Sequence, residues 1–425
     1  MNNIEKLSKK DLLALVSSIN EISFSLDSSA VLKKVMHQAC NLLNAEGASI
    51  FMVDEKTKCL IWKVATNLDE KICRRITIPP DKGIVGHVYK NRTLLNVSDA
   101  SSDPRFYKKV DEMTHLKTKS CLTVPLIVEN KKLGVVQVIN KRDNSHFNER
   151  DEILLTEFSN TAGIIINKAL LHQKIVENEK IKTDLELASL IQKRLLPQNS
   201  FYLKGVKIKG FYKPAMFVSG DYYDYIKISN NHVLFVLGDV SGKGAQASLL
   251  MASLKSFINT SCETNKISLS SLANRINKYF YKITSPDKFI TLFLGLVDLD
   301  TYDLTYVNAG HEKPLLLHKN GDVVSLQESD LIIGVNPEYI FTEKSRHLKD
   351  GDKLIIFTDG ITEAMNRNEN MFGVERLIKI IQSAKDDFKL LFHVLNEEIM
   401  KFTNGTEQSD DITYMLLSVD QKKSS

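Results

Sequence analysis

The sequence is poor in residues that form crosslinks or bind zinc. Its 425 residues contain five cysteines and one tryptophan. The cysteines are odd in number and never spaced as CxxC, which argues against a disulfide framework and against a zinc site. This pattern predicts buried free thiols in a reducing compartment. The five residues are Cys40, Cys59, Cys73, Cys121 and Cys262.

Charge and hydropathy favour neither a nucleic-acid nor a membrane partner. Lys and Arg number 56 against 52 Asp and Glu, a net charge of +4 that is spread along the chain. Apolar stretches such as Phe289–Val297 fall short of the ~18 residues that cross a bilayer. The segment Met1–Leu15 has no uninterrupted apolar core of the kind found in a cleavable signal. We therefore expect a cytoplasmic protein with no membrane or nucleic-acid partner.

The composition that remains is that of a globular protein, with 43% hydrophobic and 25% charged residues. Residues 1–20 predict a short helix, and residues 21–168 predict an α+β domain with two hairpins between helices. Between 169 and 197 the chain has no Gly or Pro before Pro197. Its apolar positions there are close to heptad spacing, which predicts a helical linker, either a parallel dimeric coiled coil or a solvated connector. Residues 198–420 predict antiparallel sheets flanked by helices.

The last of these regions places aspartates where apolar strands stop or start. Each one alone is ordinary turn chemistry. Together, and with few basic neighbours, they predict an oxygen-rich pocket of the kind that binds Mg²⁺ or Mn²⁺. The segments are SGDYYD with Asp221 and Asp224, GDVSGKG with Asp239, FTDG with Asp359, and SDDIT with Asp410 and Asp411.

Two competing chemistries are disfavoured by the same residues. Gly238–Gly244 looks like a phosphate-binding loop, but its lysine comes one position early and Gly244 replaces the hydroxyl residue. The chain has no Cys-x5-Arg segment for a cysteine nucleophile.

The acidic segments, in this order, resemble the metal-dependent type 2C (PPM) protein phosphatases, and more narrowly their bacterial SpoIIE/RsbU branch. The resemblance covers about 188–420 and includes ASLIQKRLLPQ at 188–198, YVNAGH at 306–311 and FTDGITEA at 357–364. It implies an αββα sandwich and a phosphoserine/phosphothreonine phosphatase. The implied substrate is a phosphorylated STAS-type anti-sigma-factor antagonist.

The resemblance also implies a set of site residues around two Mn²⁺ or Mg²⁺ ions. Asp221 and Asp239 would bind metal, with Asp239 bridging both ions and the Val240 carbonyl contributing. Asp359 and Asp410 would complete the shell, with Asp411 as a less certain member and Asp224 as an orienting residue. Two such ions lower the pKa of a shared water and neutralise phosphoryl charge.

Two further residues near these segments allow two roles each. His311 has the chemistry to protonate the leaving oxygen, although a packing role is favoured. Lys243 is suited equally to contacting the substrate phosphate and to lying on an exposed turn.

Residues 21–168 resemble a GAF domain, a module that binds small molecules and dimerises. The resemblance rests on KGIVG at 82–86 and VVQVIN at 135–140, and on a signature common in GAF domains that bind cyclic nucleotides. It implies cyclic AMP or cyclic GMP as a regulatory ligand. Another small ligand and a ligand-free dimerisation module stay open. The signature residues are Asn140, Lys141, Phe147, Asp151 and Glu152.

Three functions therefore compete. The first is a metal-dependent protein phosphatase controlled by a GAF sensor, expected to be a homodimer. The second is a catalytically silent scaffold that retains the fold only to bind a partner, and the retained aspartates speak against it. The third is a phosphodiesterase, which lacks support because no paired His/Asp metal motif is present.

Overall fold

The computed structural model describes residues 3–66, 76–107, 111, 117–262 and 267–420, which form two compact units, Met1–Lys180 and Ile181–Ser425. No helix within these described ranges is long and apolar enough to cross a membrane. Among the cysteines, Cys40 and Cys121 are buried free thiols, and Cys59 and Cys262 are half-buried free thiols. Cys73 lies outside the described residues.

The first unit is a six-stranded antiparallel sheet with helices packed against it. Helices α1, α2 and the start of the long helix α4 share a core with the sheet, and α3 packs near its other face. The strand order is β3-β2-β1-β6-β5-β4. The elements are α1 Lys9–Ser23, α2 Ser28–Leu43, β1 Ala45–Val53, β2 Leu60–Ala65, β3 Thr77–Ile78, α3 Gly83–Asn91, β4 Leu95–Val97, β5 Cys121–Val128, β6 Lys131–Lys141 and α4 Glu149–Leu195.

Helix α2 shows how the sequence specifies this unit locally. Asp27 caps its N-terminus through a hydrogen bond from Ser29 N, and Asn44 ends it in a left-handed conformation. Between these caps the buried residues recur at helical spacing, so one face packs on the sheet. They are Val31, Leu32, Val35, Met36, Ala39, Cys40 and Leu43.

Helix α4 is a single element of 47 residues. The helix predicted from near Asn148 and the predicted linker helix are therefore continuous. No helix breaker occurs between Gly163 and Pro197, which explains why the helix is not interrupted. Several of its apolar side chains are exposed, among them Ile164, Leu171, Ile175 and Ile181.

The second unit contains two antiparallel sheets, of order β15-β12-β11-β10-β9 and β14-β13-β16-β17-β8-β7. Its strands are β7 Phe201–Leu203, β8 Val206–Lys213, β9 Tyr222–Lys227, β10 His232–Val240, β11 Ile290–Asp298, β12 Asp303–Ala309, β13 Leu315–Leu317, β14 Val323–Ser325, β15 Lys344–His347, β16 Lys353–Phe357 and β17 Ile412–Val419. Its helices are α5 Ala245–Ser261, α6 Leu269–Ile283, α7 Asp359–Thr362, α8 Val374–Ser383 and α9 Phe388–Phe402.

Strand β16 shows how these layers stack. Leu354 and Ile356 point into a core shared with the other sheet and with α5 and α6, whereas Ile355 and Phe357 point into a core shared with α8 and α9. Because strand side chains alternate between faces, a strand buried on both sides is apolar throughout. The unit is thus an αββα sandwich, and the predicted α+β fold class is confirmed.

The strand directions bring the acidic segments to one end of the sandwich. Asp239 is near the end of β10 and Asp221 directly precedes β9, and these strands pair with Gly238 opposite Tyr222. In the other sheet Asp359 follows β16 and Asp411 precedes β17, and these strands pair with Phe357 opposite Tyr414. Antiparallel pairing therefore puts one strand end beside the next strand start in both sheets.

Candidate active site

Asp221 is the most buried member of the acidic cluster, with 1% of its surface exposed. The Thr358 hydroxyl donates to its Oδ2 at 3.2 Å. Burial raises the pKa of the Asp221 carboxyl well above its ordinary value, and the charges of Asp239 and Asp411 raise it further. Asp221 therefore faces other carboxylates rather than a lysine or arginine.

The pKa values of Asp239 and Asp359 are also raised, in each case by burial and by nearby carboxylates. Burial raises the pKa of Asp239 to about 7, with added contributions from the charges of Asp359 and Asp410. Burial raises the pKa of Asp359 to about 6, with further contributions from Asp410, Glu363 and Glu312. Repulsion of this kind indicates a set of carboxylates whose negative charge is not neutralised by neighbouring basic side chains.

Glu312 and Glu363 extend the cluster beyond the residues predicted from sequence. Burial raises the pKa of Glu312, and the Glu363 charge raises it further. A signal for both was present, since Glu363 lies within the FTDGITEA segment and Glu312 directly follows His311. Neither glutamate directly follows a strand, so neither was predicted from the acidic residues at strand ends.

Backbone atoms also approach one another closely at the cluster. A side chain at Gly220 would lie 2.7 Å from the Val240 carbonyl oxygen, so that oxygen faces the residue before Asp221. At Gly360 a Cβ would lie 1.9 Å from the Asp411 carbonyl oxygen. Glycine is required at 360 because any side chain would push apart the two segments that carry Asp359 and Asp411.

Asp410 and Asp411 have different surroundings. Asp411 accepts hydrogen bonds from Ala215 N at 2.7 Å and Gly220 N at 3.1 Å, one on each carboxylate oxygen. The Asp410 carboxylate is 38% exposed and lies 3.3 Å from Lys243 Nζ, which also donates to the Ser409 carbonyl. Asp411 thus anchors the loop before Asp221, and Lys243 is joined to the segment that carries Asp410.

Asp224 does not share this environment. Its Oδ2 is 2.6 Å from Lys255 Nζ on α5 and accepts the Tyr222 hydroxyl at 2.9 Å. The Tyr225 amide donates to its other oxygen at 2.9 Å. Asp224 therefore ties β9 to α5, in keeping with an orienting role.

His311 is buried against the strands that lead to the cluster. Its Nδ1 lies 2.9 Å from the Thr291 hydroxyl, and its backbone N–H donates to Asn308 Oδ1 at 2.8 Å. Burial lowers the pKa of the imidazole to about 3, so the ring is neutral at physiological pH. A neutral, buried imidazole is a poor general acid, which favours the packing role.

Gln192, near the end of α4, was not predicted as a site residue. Its Nε2 donates to the Ser219 carbonyl at 2.7 Å, and its Oε1 accepts from the Ser219 amide at 3.0 Å and the Tyr212 hydroxyl at 3.0 Å. The side chain is buried. The end of the helix is therefore fastened to the loop that leads into Asp221. Its only sequence signal is its place in the 188–198 segment.

The donor set of the cluster fits hard divalent cations, because it consists of carboxylates and backbone carbonyls. In the ranges that the structure describes, no three acidic, histidine or cysteine side chains are yet arranged closely enough to hold one ion. Asp221, Asp239 and Asp359 have no lysine or arginine within 4 Å in those same ranges. The chemistry of the residues therefore fits a divalent metal ion.

The five signature residues of the first unit form a scaffold. Lys141 Nζ lies 2.6 Å from the fully buried Asp151, which joins the end of β6 to the start of α4. Asn140 Oδ1 accepts from Lys119 N and Ser120 N, at 2.8 and 3.2 Å. Asn96 Nδ2 donates to the Phe147 carbonyl and to Glu152, at 2.9 and 2.8 Å.

A separate pocket in the same unit lies between the sheet and α3. The space in it that a water-sized molecule can occupy is about 60 Å³, and none of the five signature residues lines it. Phe51 and Trp62 stack in its wall with their ring centroids 5.1 Å apart. Polar groups come from Ser49, Thr118 and Gln137 and from the carboxylate of Asp111, and its described lining contains no Lys or Arg.

Comparisons with known proteins agree with this architecture. Residues 229–420 match the family model of Stage II sporulation protein E (SpoIIE), and residues 27–166 match that of the GAF domain. Protein IcfG of Synechocystis is 28% identical over 272 residues, which cover 58% of this chain and 43% of that protein. Phosphoserine phosphatase RsbU of Bacillus subtilis is 28% identical over 246 residues, which cover 56% of this chain and 71% of that protein.

Among solved structures, the SiaA-PP2C domain of Pseudomonas aeruginosa superimposes with a TM-score of 0.52 and 21% identity. The match covers 57% of this chain and 99% of that one, and it shows the fold. The chain therefore carries a GAF domain followed by a SpoIIE-type domain with the type 2C phosphatase fold. Both resemblances expected from the sequence are confirmed.

Proposed function

We propose that this protein is a metal-dependent protein serine/threonine phosphatase. The observation that carries the proposal is the gathering of Asp221, Asp239 and Asp359 at one end of the sandwich, where burial and mutual repulsion raise their pKa values. Clustered carboxylates without a basic partner are costly in a stable fold unless a cation compensates them. The similarity to a protein named as a phosphoserine phosphatase supports the same reaction.

Asp221, Asp239, Asp359 and Asp410, with the Val240 carbonyl, would hold two Mn²⁺ or Mg²⁺ ions. Bound divalent cations supply an activated water and neutralise phosphoryl charge. The Thr358 hydroxyl orients Asp221, and Lys243 holds the Ser409–Asp410 segment against the loop after Asp239. Because both Asp411 oxygens accept backbone N–H groups, we assign Asp411 to holding the loop before Asp221 rather than to the metal.

A phosphatase assay on the full chain tests this proposal. We expect hydrolysis of a phosphoserine peptide with Mn²⁺ and none after chelation. Asp386→Asn, on an exposed residue, is the matched control for aspartate substitutions in the cluster. If wild-type protein with intact fold and bound Mn²⁺ hydrolyses no phosphoester, the silent scaffold is the better description.

For the substrate we propose a phosphorylated STAS-type anti-sigma-factor antagonist. Support comes from the similarity to RsbU and from the SpoIIE-type domain. The test compares turnover of such a phosphoprotein with that of a peptide of the same phosphosite sequence. Equal kcat/KM for both would show that the folded partner is not recognised.

For the GAF domain we propose regulation by a small ligand in the pocket beside Phe51 and Trp62. Stacked aromatic rings suit a planar base, so a cyclic nucleotide remains a candidate. Among the lining residues that the structure describes, the charged side chain is Asp111, which would repel the phosphate of such a ligand. Calorimetry with cyclic AMP and cyclic GMP decides this, with Trp62→Ala as the pocket variant. Binding that is unchanged in that variant would place the ligand elsewhere.

We propose that the protein is a homodimer joined along α4. For the chain itself we propose an N-terminal helix at 1–20, a sensor domain at 21–168, a linker at 169–197 and a phosphatase domain at 198–420. The exposed apolar residues Ile164, Leu171 and Ile175 on this helix support a second copy as the partner. Sedimentation of the full chain should give a dimer, and Leu171→Glu with Ile175→Glu should give a monomer. A wild-type monomer at micromolar concentration would favour the solvated connector.

A further inference from the structure

Two lysines lie against the loop that joins Asp239 to α5, and they differ in what they contact. Lys243 belongs to this loop, and its ammonium is shared between the Ser409 carbonyl and Asp410. Lys288 comes from the turn before β11 and reaches the same loop from the other side. Among the residues that the structure describes, its ion-pair partner is the exposed Asp287, whose carboxylate oxygen is 3.8 Å away.

The turn that carries Lys288 is fixed to the Asp239 loop by the backbone. Ser241 N donates to the Phe289 carbonyl at 2.9 Å, and Phe289 N donates to the Ser241 hydroxyl at 2.9 Å. Next to this pair the strands continue in register, with Asp239 opposite Thr291. The position of Lys288 is therefore set by the same strand pair that sets Asp239.

Gly242 leaves room for the ammonium of Lys288 against this loop. A Cβ at Gly242 would lie 2.8 Å from Lys288 Nζ, and Gly242 has a φ of 97° that other residues rarely adopt. Only 20% of the Lys288 side chain is exposed. Its ammonium is held against the loop at Gly242, which is three residues after Asp239 in the sequence. A half-buried ammonium in this position needs an anion, and Asp287 supplies only a weak, solvent-screened one.

Charge balance at the site indicates which anion is suitable. The four carboxylates assigned to the metals and two divalent cations sum to zero, and Glu312, Glu363 and Asp411 add further negative charge. A phosphomonoester therefore adds up to two negative charges that the metal cluster does not balance. Lys243 is already engaged by Asp410, whereas Lys288, held against the same loop, has only the distant Asp287 as an ion-pair partner in the described part of the chain. We propose that Lys288 binds the phosphoryl group of the substrate, an inference that rests on the proposed phosphatase function.

The test compares Lys288→Met, Lys288→Arg and a control, Lys278→Met, on an exposed lysine of α6. With saturating Mn²⁺ and p-nitrophenyl phosphate, we expect Lys288→Met to raise KM about tenfold while kcat changes much less. Calorimetry of the Mn²⁺-loaded protein should show inorganic phosphate binding about tenfold more weakly. Manganese affinity should be unchanged, Lys288→Arg should restore most phosphate binding, and Lys278→Met should match wild type.

Phosphate binding and manganese affinity in Lys288→Met equal to those of Lys278→Met would overturn the inference. So would a loss of manganese affinity or stability that Lys288→Arg fails to rescue, because that result assigns Lys288 to the loop structure. Failure of the proposed function has a different signature. In that case wild type does not hydrolyse phosphoesters, and calorimetry with inorganic phosphate still decides the role of Lys288. If wild type binds no phosphate at all, the inference fails as well.

Discussion

Each unit of the protein buries an aspartate almost completely, and the two have opposite surroundings. Asp151 in the GAF domain is 0% exposed and is 2.6 Å from Lys141. Asp221 in the second unit is 1% exposed and faces Asp239 and Asp411. A buried charge with an opposite partner is a structural joint, whereas buried charges of one sign need something from outside the chain. The charge beside each buried carboxylate therefore distinguishes a structural aspartate, Asp151, from an aspartate of the candidate active site, Asp221.

The largest expected effect comes from Asp239→Asn. It removes one charge from the cluster, so Mn²⁺-dependent turnover should fall roughly 100-fold or more, while the fold persists. Phosphatase assays measure the first effect and thermal melts the second. Asp386→Asn should behave as wild type. Turnover within a fewfold of wild type in Asp239→Asn would contradict the metal assignment.

Breaking the structural joint should affect stability. Lys141→Met removes the 2.6 Å partner of the buried Asp151 and leaves it with the longer contact to Arg150, at 3.4 Å, so we expect a loss of roughly 3 kcal/mol in the free energy of unfolding. Urea unfolding followed through the Trp62 fluorescence measures this change in the first unit. Adding Asp151→Asn should recover part of the loss, because the buried charge is then gone. A neutral effect of Lys141→Met would mean that the pair does not hold β6 to α4.

The metal-free protein should become less stable as the pH rises. The pKa values of Asp239 and Asp359 are raised to about 7 and about 6, above the ~4 of an unfolded aspartate, so the native state binds more protons. Their stabilising contribution is complete below pH ~4 and is lost as the pH passes through 6 and 7. Thermal melts in a chelator should show this trend, and Mn²⁺ should reverse it at the alkaline end. An unchanged slope in Asp239→Asn would refute the assignment of the effect to this cluster.

The smallest effect is expected at His311. Its pKa of about 3 keeps the ring neutral across the working range, so His311→Gln should leave the shape of the pH–rate profile unchanged. Loss of the contact with Thr291 should cost about 1 kcal/mol of stability. If the substitution removes a limb of the profile between about pH 6 and 8, His311 takes part in proton transfer after all.

Much of the fold was predictable because long, periodic elements carry their own signal. The helix predicted over 169–197 is present as part of α4, and the antiparallel sheets predicted within 198–420 are present as well. The short strands Thr77–Ile78, Leu95–Val97, Phe201–Leu203 and Lys344–His347 have no readable period in the sequence. Elements of two to four residues contain too few positions to show a period, and only pairing with a neighbouring strand makes them strands.

The sequence by itself determined the order of the elements and the aspartates at the strand ends, because hydrophobic periodicity and turn residues act locally. Contacts across the fold decided the rest. They gave Asp411 two backbone N–H groups and paired Asp224 with Lys255, and they placed Lys288 against Gly242. In the sequence, Lys255 is 31 residues from Asp224, and Ala215 is 196 residues from Asp411. Only the packing of two sheets and their helices brings such distant groups within reach of one another.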